Sequence, residues 1–129
     1  MTNHIHLVFQ SLEGQPPESL LGDFKRFTSK SIVQAIKTNP RESRKEFLLE
    51  KFKSAADKSS NVKQYQFWRH DNKPIELWSN KVIAEKIRYI HNNPVEQGFV
   101  FRPEDYPYSS AVDYSGEKGL LDGIVLVSI

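Results

Sequence analysis

The spacing of the apolar residues changes along the chain, and this change constrains the fold more than any other feature of the sequence. In residues 4–10 apolar side chains recur at every second position, the spacing of a β-strand with one buried face. Two more extended segments are predicted at 64–69 and 75–78, and the apolar tail at 122–129 has strand propensity. The apolar spacing therefore predicts that the chain contains both strands and helices.

Three segments have the apolar spacing of amphipathic helices, at about 19–38, 42–57 and 80–93. Serines at positions 19 and 79 are suited to cap the first and the third. Pro94 is predicted to limit the end of the third helix. The predicted loops are 11–18, 57–61 and 71–74.

The length and composition indicate one folded domain over residues 1–129. Hydrophobic residues make up 38% of the chain and charged residues 26%, which excludes a disordered polar segment. The absence of cysteine excludes disulfides, thiolate metal sites and thiol nucleophiles. No apolar run approaches a membrane span and the first ten residues do not resemble a signal peptide, so a cytoplasmic protein with no membrane partner is expected.

Positive charge is concentrated in the middle of the chain although the net charge is only +2. Residues 25–63 contain eleven lysines and arginines against four acidic residues. Such a region can bind phosphates without reading sequence, although a solvated helix face would have the same composition. The candidate DNA-binding residues are Lys25, Arg26, Lys30, Arg44, Lys45, Arg69 and, on the third helix, Lys86.

Aromatic residues follow the basic region, where they could stack on unpaired bases. Tyr65, Phe67, Trp68 and Trp78 form this stretch together with Arg69. Large aromatic residues more often build a core, and the core interpretation is favoured for the phenylalanine and the two tryptophans.

Two histidines occupy alternate positions of the first predicted strand. The side chains of His4 and His6 would point the same way, with Cβ atoms about 6–7 Å apart, so both imidazoles could reach one divalent ion. Such an ion can polarise a phosphodiester and neutralise charge as the bond breaks. The alternative is a pair of surface histidines on a half-exposed strand.

One tyrosine on the third predicted helix lies beside the buried apolar stripe. Tyr89 shares a helix face with Asn93, four residues later, and Lys86 lies one turn earlier. A phenol can attack phosphorus and form a phosphotyrosine, with a metal or Lys86 helping it to lose its proton. Asn93 could supply an amide oxygen as a third metal ligand. The alternative is a boundary tyrosine with a solvated hydroxyl, followed by a helix-ending asparagine.

Three motifs in order resemble one known family. N-H-I-H-L at 3–7, Y-I-H-N-N-P-V at 89–95 and D-Y-P-Y-S-S at 105–110 resemble the single-tyrosine HUH transposases, including the REP-associated and insertion-sequence enzymes. The resemblance implies an α+β, ferredoxin-like antiparallel sheet packed with helices. It also implies binding of single-stranded or hairpin DNA with Mg²⁺ or Mn²⁺.

By position, the resemblance makes Tyr89 the catalytic nucleophile and His4, His6 and Asn93 the metal ligands. Cleavage would leave a 5′-phosphotyrosine and a free 3′-hydroxyl. Tyr106 and Tyr108 are the alternative nucleophiles.

The histidine motif begins at residue 3, whereas about one strand and one helix precede it in the family. The resemblance therefore implies an N-terminally incomplete domain, and a homodimer is one way to supply the missing strand. Two alternatives to an active transposase follow. One is a non-catalytic nucleic-acid-binding remnant of the family, and the other is a metal-dependent hydrolase that uses the histidines without a tyrosine intermediate.

Overall fold

The computed structural model of the chain describes residues 3–59, 64–70 and 72–129. Helices α1 (Pro17–Thr38), α2 (Lys45–Asp57), α3 (Asn80–Glu96) and the short α4 (Ala111–Tyr114) are joined by loops, with a 3₁₀ turn at Pro103–Asp105. Two compact units are present: a central unit, Gln10–Lys73, and a terminal unit that combines Met1–Phe9 with Pro74–Ile129. Parts of the predicted loops at 57–61 and 71–74 lie outside the described residues, as does Lys63.

The expected α+β, ferredoxin-like antiparallel sheet is wrong, because the described parts of the chain are helical and contain no β-strand. A period-two apolar pattern indicates which face of a strand would be buried, but a strand forms only where a neighbour accepts its backbone hydrogen bonds. None of the four segments predicted as strands has such a neighbouring strand among the described residues.

The segment predicted as a strand at 64–69 packs on helices through its side chains. The Gln66 backbone N–H donates to the carbonyl of Phe52 on α2 at 2.9 Å, and Trp68 Nε1 donates to the Thr28 hydroxyl on α1 at 2.9 Å. The aromatic residues are therefore held by the two helices and not by a paired strand.

The other three segments also lack regular structure in the part of the chain that is described. At 4–10 the apolar residues Ile5, Leu7 and Phe9 are about half exposed, so the alternating face is not covered. In the tail, the Val127 N–H donates to the Tyr114 hydroxyl at 3.0 Å. A single side-chain anchor of this kind does not build a ladder.

The three predicted amphipathic helices are confirmed, with revised ends. The Ser79 side chain accepts a hydrogen bond from Val82 N at 3.3 Å, as an N-cap does. Ser19 does not cap α1, because the helix starts two residues earlier at Pro17, whose fixed φ suits the first helical position. The second helix starts at Lys45, three residues later than predicted.

Pro94 does not end α3, contrary to the prediction. It lies inside the last turn, where its missing N–H affects one hydrogen bond, and the helix continues to Glu96. The end is set by Gly98 in the left-handed conformation (φ +72°), with Gly98 N bonded to Val95 O and Phe99 N bonded to Pro94 O. This is the Schellman arrangement, which needs glycine at that position.

The core of the central unit is an aromatic cluster between α1 and α2. Phe67 contacts Trp68 and Phe52, with ring centroids 4.8 and 5.3 Å apart, and Trp68 lies 6.2 Å from Phe24. The core interpretation is therefore confirmed for Phe67 and Trp68. Trp78 belongs to the terminal unit and is largely exposed, so that interpretation is wrong for Trp78.

The terminal unit is organised around α3. The buried side of this helix carries Ala84, Ile87, His91 and Pro94, and Ala111 of α4 is also buried. Within the described ranges, no helix combines the length and the apolar character that a bilayer crossing needs.

Candidate functional site

Three rings meet at one place in the terminal unit. The imidazoles of His4 and His6 have centroids 5.0 Å apart at an angle of 85°, and His6 lies 6.1 Å from the Tyr89 ring at 74°. The tyrosine is presented by α3, whose opposite side is buried, so its ring projects from a fixed helix with 53% of its surface exposed. The structure thus brings together the two histidines and the tyrosine that the sequence singled out.

The separation of the two imidazoles suits a shared ion. An imidazole bound to a divalent metal through one nitrogen has its centroid about 3.2 Å from the ion, so two ligands of one ion have centroids about 4.5–5.2 Å apart. The 5.0 Å observed between His4 and His6 lies in this range. The centroid separation is therefore compatible with two imidazoles on one divalent cation.

The tautomer of one imidazole is set by its neighbour in sequence. His4 Nδ1 lies 2.7 Å from Asn3 Oδ1. Because an amide oxygen only accepts hydrogen bonds, Nδ1 carries the proton, which leaves the lone pair of Nε2 free. A hydrogen bond of this kind orients a metal-binding histidine and makes it a better ligand. Asn3 is thus a positioning residue that motif reading alone did not single out.

The second imidazole has a lowered pKa. Burial lowers the pKa of His6 below its ordinary value, and repulsion from the nearby His4 lowers it further. His6 therefore holds a proton less strongly than an exposed histidine does.

Lys86 lies next to the tyrosine, one turn earlier on α3. Its ammonium is 5.8 Å from the centroid of the Tyr89 ring. A cation at this distance interacts with the face of the ring. Of the seven candidate DNA-binding residues, Lys86 is the one that the structure places beside the three rings.

Asn93, the expected third ligand, has a different environment. It is only 7% exposed, and its Nδ2 donates to the backbone carbonyl of Tyr89 at 3.1 Å. This bond joins the turn of α3 that carries Tyr89 to the turn that carries Asn93. Among the described residues no three histidine, cysteine or acidic side chains cluster as metal ligands do. Of the three predicted ligands, the two imidazoles are therefore the ones that the structure brings together.

The other candidate phosphate-binding residues lie in the central unit. Lys25 Nζ donates to the backbone carbonyl of Arg69 and, at 2.9 Å, to Asn72 Oδ1, so this lysine holds the loop against α1. Arg26 pairs with Asp23 at 2.9 Å on the exposed face of the helix. Exposed pairs contribute little, about 0–1 kcal/mol, and open easily for a phosphate.

The remaining candidate cations of the central unit differ in their exposure. Arg44 lies 3.6 Å from Glu42, Lys30 and Arg69 are exposed, and Lys45 is half-buried at the start of α2. Lys30 and Arg69 thus stay the simplest candidates for phosphate contact in this unit.

The alternative nucleophiles pair with each other in the 3₁₀ region. The rings of Tyr106 and Tyr108 are 5.7 Å apart, and Tyr106 also contacts Phe99. Tyr108 is 78% exposed. The ring contacts that define the histidine site include Tyr89 and neither of these two.

A buried hydrogen bond ties α3 to the C-terminal part of the terminal unit. His91 Nε2 lies 3.0 Å from Ser110 Oγ, and its ring meets that of Tyr114 at 5.1 Å. Burial lowers the pKa of His91 below its ordinary value. Since His91 is two residues from Tyr89 on α3, this contact fixes the helix that presents the tyrosine.

We predict that acid destabilises the terminal unit through His91. The folded pKa lies below the unfolded value of about 6.5, so its contribution is complete above that pH and is lost as the pH falls below it, by at most about 1.4 kcal/mol per pH unit. Urea unfolding at pH 7.5 and 5.5 measures the loss. His91→Gln keeps a hydrogen-bonding side chain without the titration and should show a smaller loss; an equal loss in both proteins would contradict the prediction.

We also predict that Asn3→Ala weakens Mn²⁺ binding by about tenfold, since the loss of an outer hydrogen bond to a ligand typically costs about 10–100-fold. Calorimetric titration or Mn²⁺ broadening of the histidine ring protons measures the change. Asn80→Ala, at an exposed asparagine of the same unit, serves as the control. Equal affinity in the two variants would show that Asn3 does not orient His4.

Comparison with models of known families, with curated proteins and with solved structures finds no match to this chain.

Proposed function

We propose that this protein cleaves and rejoins single-stranded or hairpin DNA in the cytoplasm through a covalent link to Tyr89, as a transposase does. The observation that carries the proposal is the meeting of the His4, His6 and Tyr89 rings within one compact unit. These residues are distant in sequence, and each has the chemistry that the reaction requires. The similarity of the three motifs to single-tyrosine HUH transposases adds support, although it does not extend to the fold that the family would imply.

The chemical step is a displacement at phosphorus. The Tyr89 hydroxyl oxygen forms a bond to phosphorus and the bond from phosphorus to the 3′ oxygen breaks, which gives a 5′-phosphotyrosine and a 3′-hydroxyl. The phenol proton passes to water, and the departing oxygen takes a proton from water. Lys86 would neutralise charge that develops on the phosphate next to the Tyr89 ring. Attack by the 3′-hydroxyl on the phosphotyrosine reverses the step and reseals the strand.

A divalent metal fits the two imidazoles, and when bound it would polarise the scissile phosphate and neutralise developing charge. His4 and His6 would hold it, and Asn3 would orient His4. Two nitrogen ligands without a carboxylate suit Mn²⁺ better than Mg²⁺, which prefers oxygen. We therefore favour Mn²⁺ of the two expected ions.

The test is a covalent adduct whose position is mapped. Purified protein is incubated with Mn²⁺ and a 3′-labelled hairpin oligonucleotide library with single-stranded flanks, so that the label stays on the fragment joined to the protein, and adducts are separated under denaturing conditions. The chain has five tyrosines, so proteolysis and mass spectrometry identify the modified one. We expect the nucleotide on the peptide that contains Tyr89, and no adduct in EDTA. An adduct on Tyr106 or Tyr108 would contradict the assignment.

A second candidate function is a nucleic-acid-binding protein of the same origin that does not cleave. It is favoured by the two-residue ligand set and by the exposed cations on the central unit, Lys30 and Arg69. It predicts binding that weakens steeply with salt and no adduct with any metal. Binding that is independent of salt would count against both functions. The homodimer remains a prediction, which sedimentation can test.

A further inference from the structure

A groove of about 740 Å³ runs along α3 on the side of Tyr89. One wall is a polar face of the helix formed by Glu85, Arg88, Tyr89, Asn92 and Glu96, whose spacing of three and four residues places them on one side. The volume falls within the range of about 300–1,000 Å³ typical of small-molecule sites. The groove is therefore large enough for a nucleobase and its sugar.

The groove and the histidine site share one residue. Tyr89 contacts His6 and also lines the groove. Because Tyr89 belongs to both, the nucleotide next to a phosphate held at the phenol oxygen would lie beside this wall. The groove is thus positioned to receive a base that flanks the cleaved phosphate.

The net negative charge of the groove disfavours the binding of a phosphate between its walls. Its ionised groups are the carboxylates of Glu85, Glu96 and Glu104 and the single guanidinium of Arg88, so negative charge predominates. A second phosphate would be repelled, whereas an uncharged base would not. The groove therefore favours a base turned inward with its phosphates kept at the rim, beside Lys86.

The glutamate carboxylates and one amide oxygen supply acceptors to the groove, beside the donors of Arg88. Asn92 Nδ2 already donates to Glu96 Oε1 at 2.9 Å, which leaves the Asn92 amide oxygen and the other carboxylate oxygens as acceptors. An acceptor-rich wall pairs with an exocyclic amino group, as when a glutamate accepts from cytosine N4. Cytosine offers two N–H bonds at N4 to these acceptors, whereas thymine offers only its N3–H.

The opposite wall supplies flat and apolar surface. Pro103 and Tyr114 line it, and the Tyr114 ring is held against His91 by a contact at 5.1 Å. Base stacking on an aromatic ring typically contributes about 1–3 kcal/mol per base. A flat ligand is therefore accommodated better than a bulky one.

We propose that this groove binds the unpaired base next to the cleaved phosphate and prefers a base with an exocyclic amino group over thymine. The inference rests on the proposed function, because it takes the Tyr89 hydroxyl as the place where the phosphate lies. It assigns a role to the polar face of α3, which the three sequence motifs do not explain.

The experiment compares two pyrimidine probes, fluorescein-labelled tetranucleotides of deoxycytidine and of thymidine, by fluorescence anisotropy. Both have four pyrimidines of similar size, so the difference reports the groups at N3, C4 and C5, and the glutamate variants identify the share that depends on the carboxylates. We expect the deoxycytidine probe to bind at least fivefold tighter. Ser115→Trp fills the groove from its exposed rim and should reduce the difference to within twofold, whereas Ser128→Trp in the tail should leave it unchanged.

A second variant tests the carboxylates without filling the groove. Glu85→Gln combined with Glu96→Gln should reduce the preference at least threefold, whereas Glu76→Gln, at an exposed acid outside the groove, should not. Equal binding of the two probes by the unmodified protein, or a preference that survives both groove variants, would overturn the proposal.

The adduct assay separates this inference from the proposed function. An adduct at Tyr89 with no base preference overturns the groove assignment and leaves strand cleavage standing. A preference that depends on Ser115 and the two glutamates, without any adduct, supports the groove as a base-binding site and counts against cleavage.

Discussion

Tyr89→Phe is expected to reduce the covalent protein–DNA adduct by at least about 10³-fold, because removal of a nucleophile leaves only uncatalysed background. The substitution removes one oxygen atom and keeps the ring that contacts His6 at 6.1 Å. The ring is about half exposed, so the free energy of unfolding should change by less than about 0.5 kcal/mol. Adduct yield on denaturing gels, with the same oligonucleotide and Mn²⁺, measures the effect.

The matched control is Tyr108→Phe, which removes the same oxygen from a more exposed tyrosine of the same unit. Its adduct yield should equal that of the unmodified protein. DNA affinity measured without metal should be similar in all three proteins, because the phenol oxygen contributes little to phosphate binding before the reaction. An undiminished adduct in Tyr89→Phe would remove this residue from the reaction, and a loss confined to Tyr108→Phe would transfer the role.

Lys86 gives the same reaction a graded readout. Lys86 lies beside the Tyr89 ring, so its ammonium can neutralise charge on a phosphate held at the phenol. Lys86→Gln should slow adduct formation about tenfold at low salt and less at high salt, which screens the charge. Lys81→Gln, at an exposed cation on the same helix, provides the comparison. An equal slowing in the two variants would contradict this role.

The arrangement of the candidate site was predictable in part from the sequence. The three motifs taken together predicted that His6 and Tyr89 would lie close to each other. A local pattern could not predict this, because the two residues are more than eighty positions apart. The contact of Asn3 with His4 involves chain neighbours, but the hydrogen bond depends on a rotamer that sequence does not specify. For Asn93, helical phase correctly placed the residue one turn after Tyr89, but it did not reveal that the side chain bonds back to the helix.

The fold was predictable where the interactions are local. Amphipathic spacing located α1, α2 and α3, and the Ser79 cap is local too. Strands were not predictable in this way because pairing depends on a second segment that the pattern does not name. At 64–69 the aromatic residues that raise strand propensity are the same ones that pack on α1 and α2, so tertiary contact overrode the local preference.

At the end of α3, Pro94 and Gly98 are two sequence signals that predict different ends for the helix. Pro94 is a stop signal in the sequence, but its position in the last turn costs only one backbone hydrogen bond. Gly98 provides the stronger signal because left-handed backbone is easily reached only by glycine. As a result the helix extends three residues beyond the predicted end, and Glu96 joins the face that lines the groove.

Phe67→Ala is expected to destabilise the central unit by about 3 kcal/mol, the typical cost of removing a large aromatic side chain from a core. Phe67 contacts both Phe52 and Trp68, so the substitution leaves a cavity between α2 and the 64–70 segment. A unit of this size has a stability of only a few kcal/mol, so the variant should be largely unfolded there at 37 °C. Urea unfolding followed by fluorescence of Trp68 measures the change.

Phe27→Ala is the control for this prediction, since it deletes the same side chain from α1 at a position that is 72% exposed. Its free energy of unfolding should change by no more than about 0.5 kcal/mol, and alanine slightly favours the helix. The two variants have the same change in composition, so a large difference between them can arise only from packing. If Phe67→Ala and Phe27→Ala unfolded at the same urea concentration, the cluster around Trp68 would not be the core of the central unit.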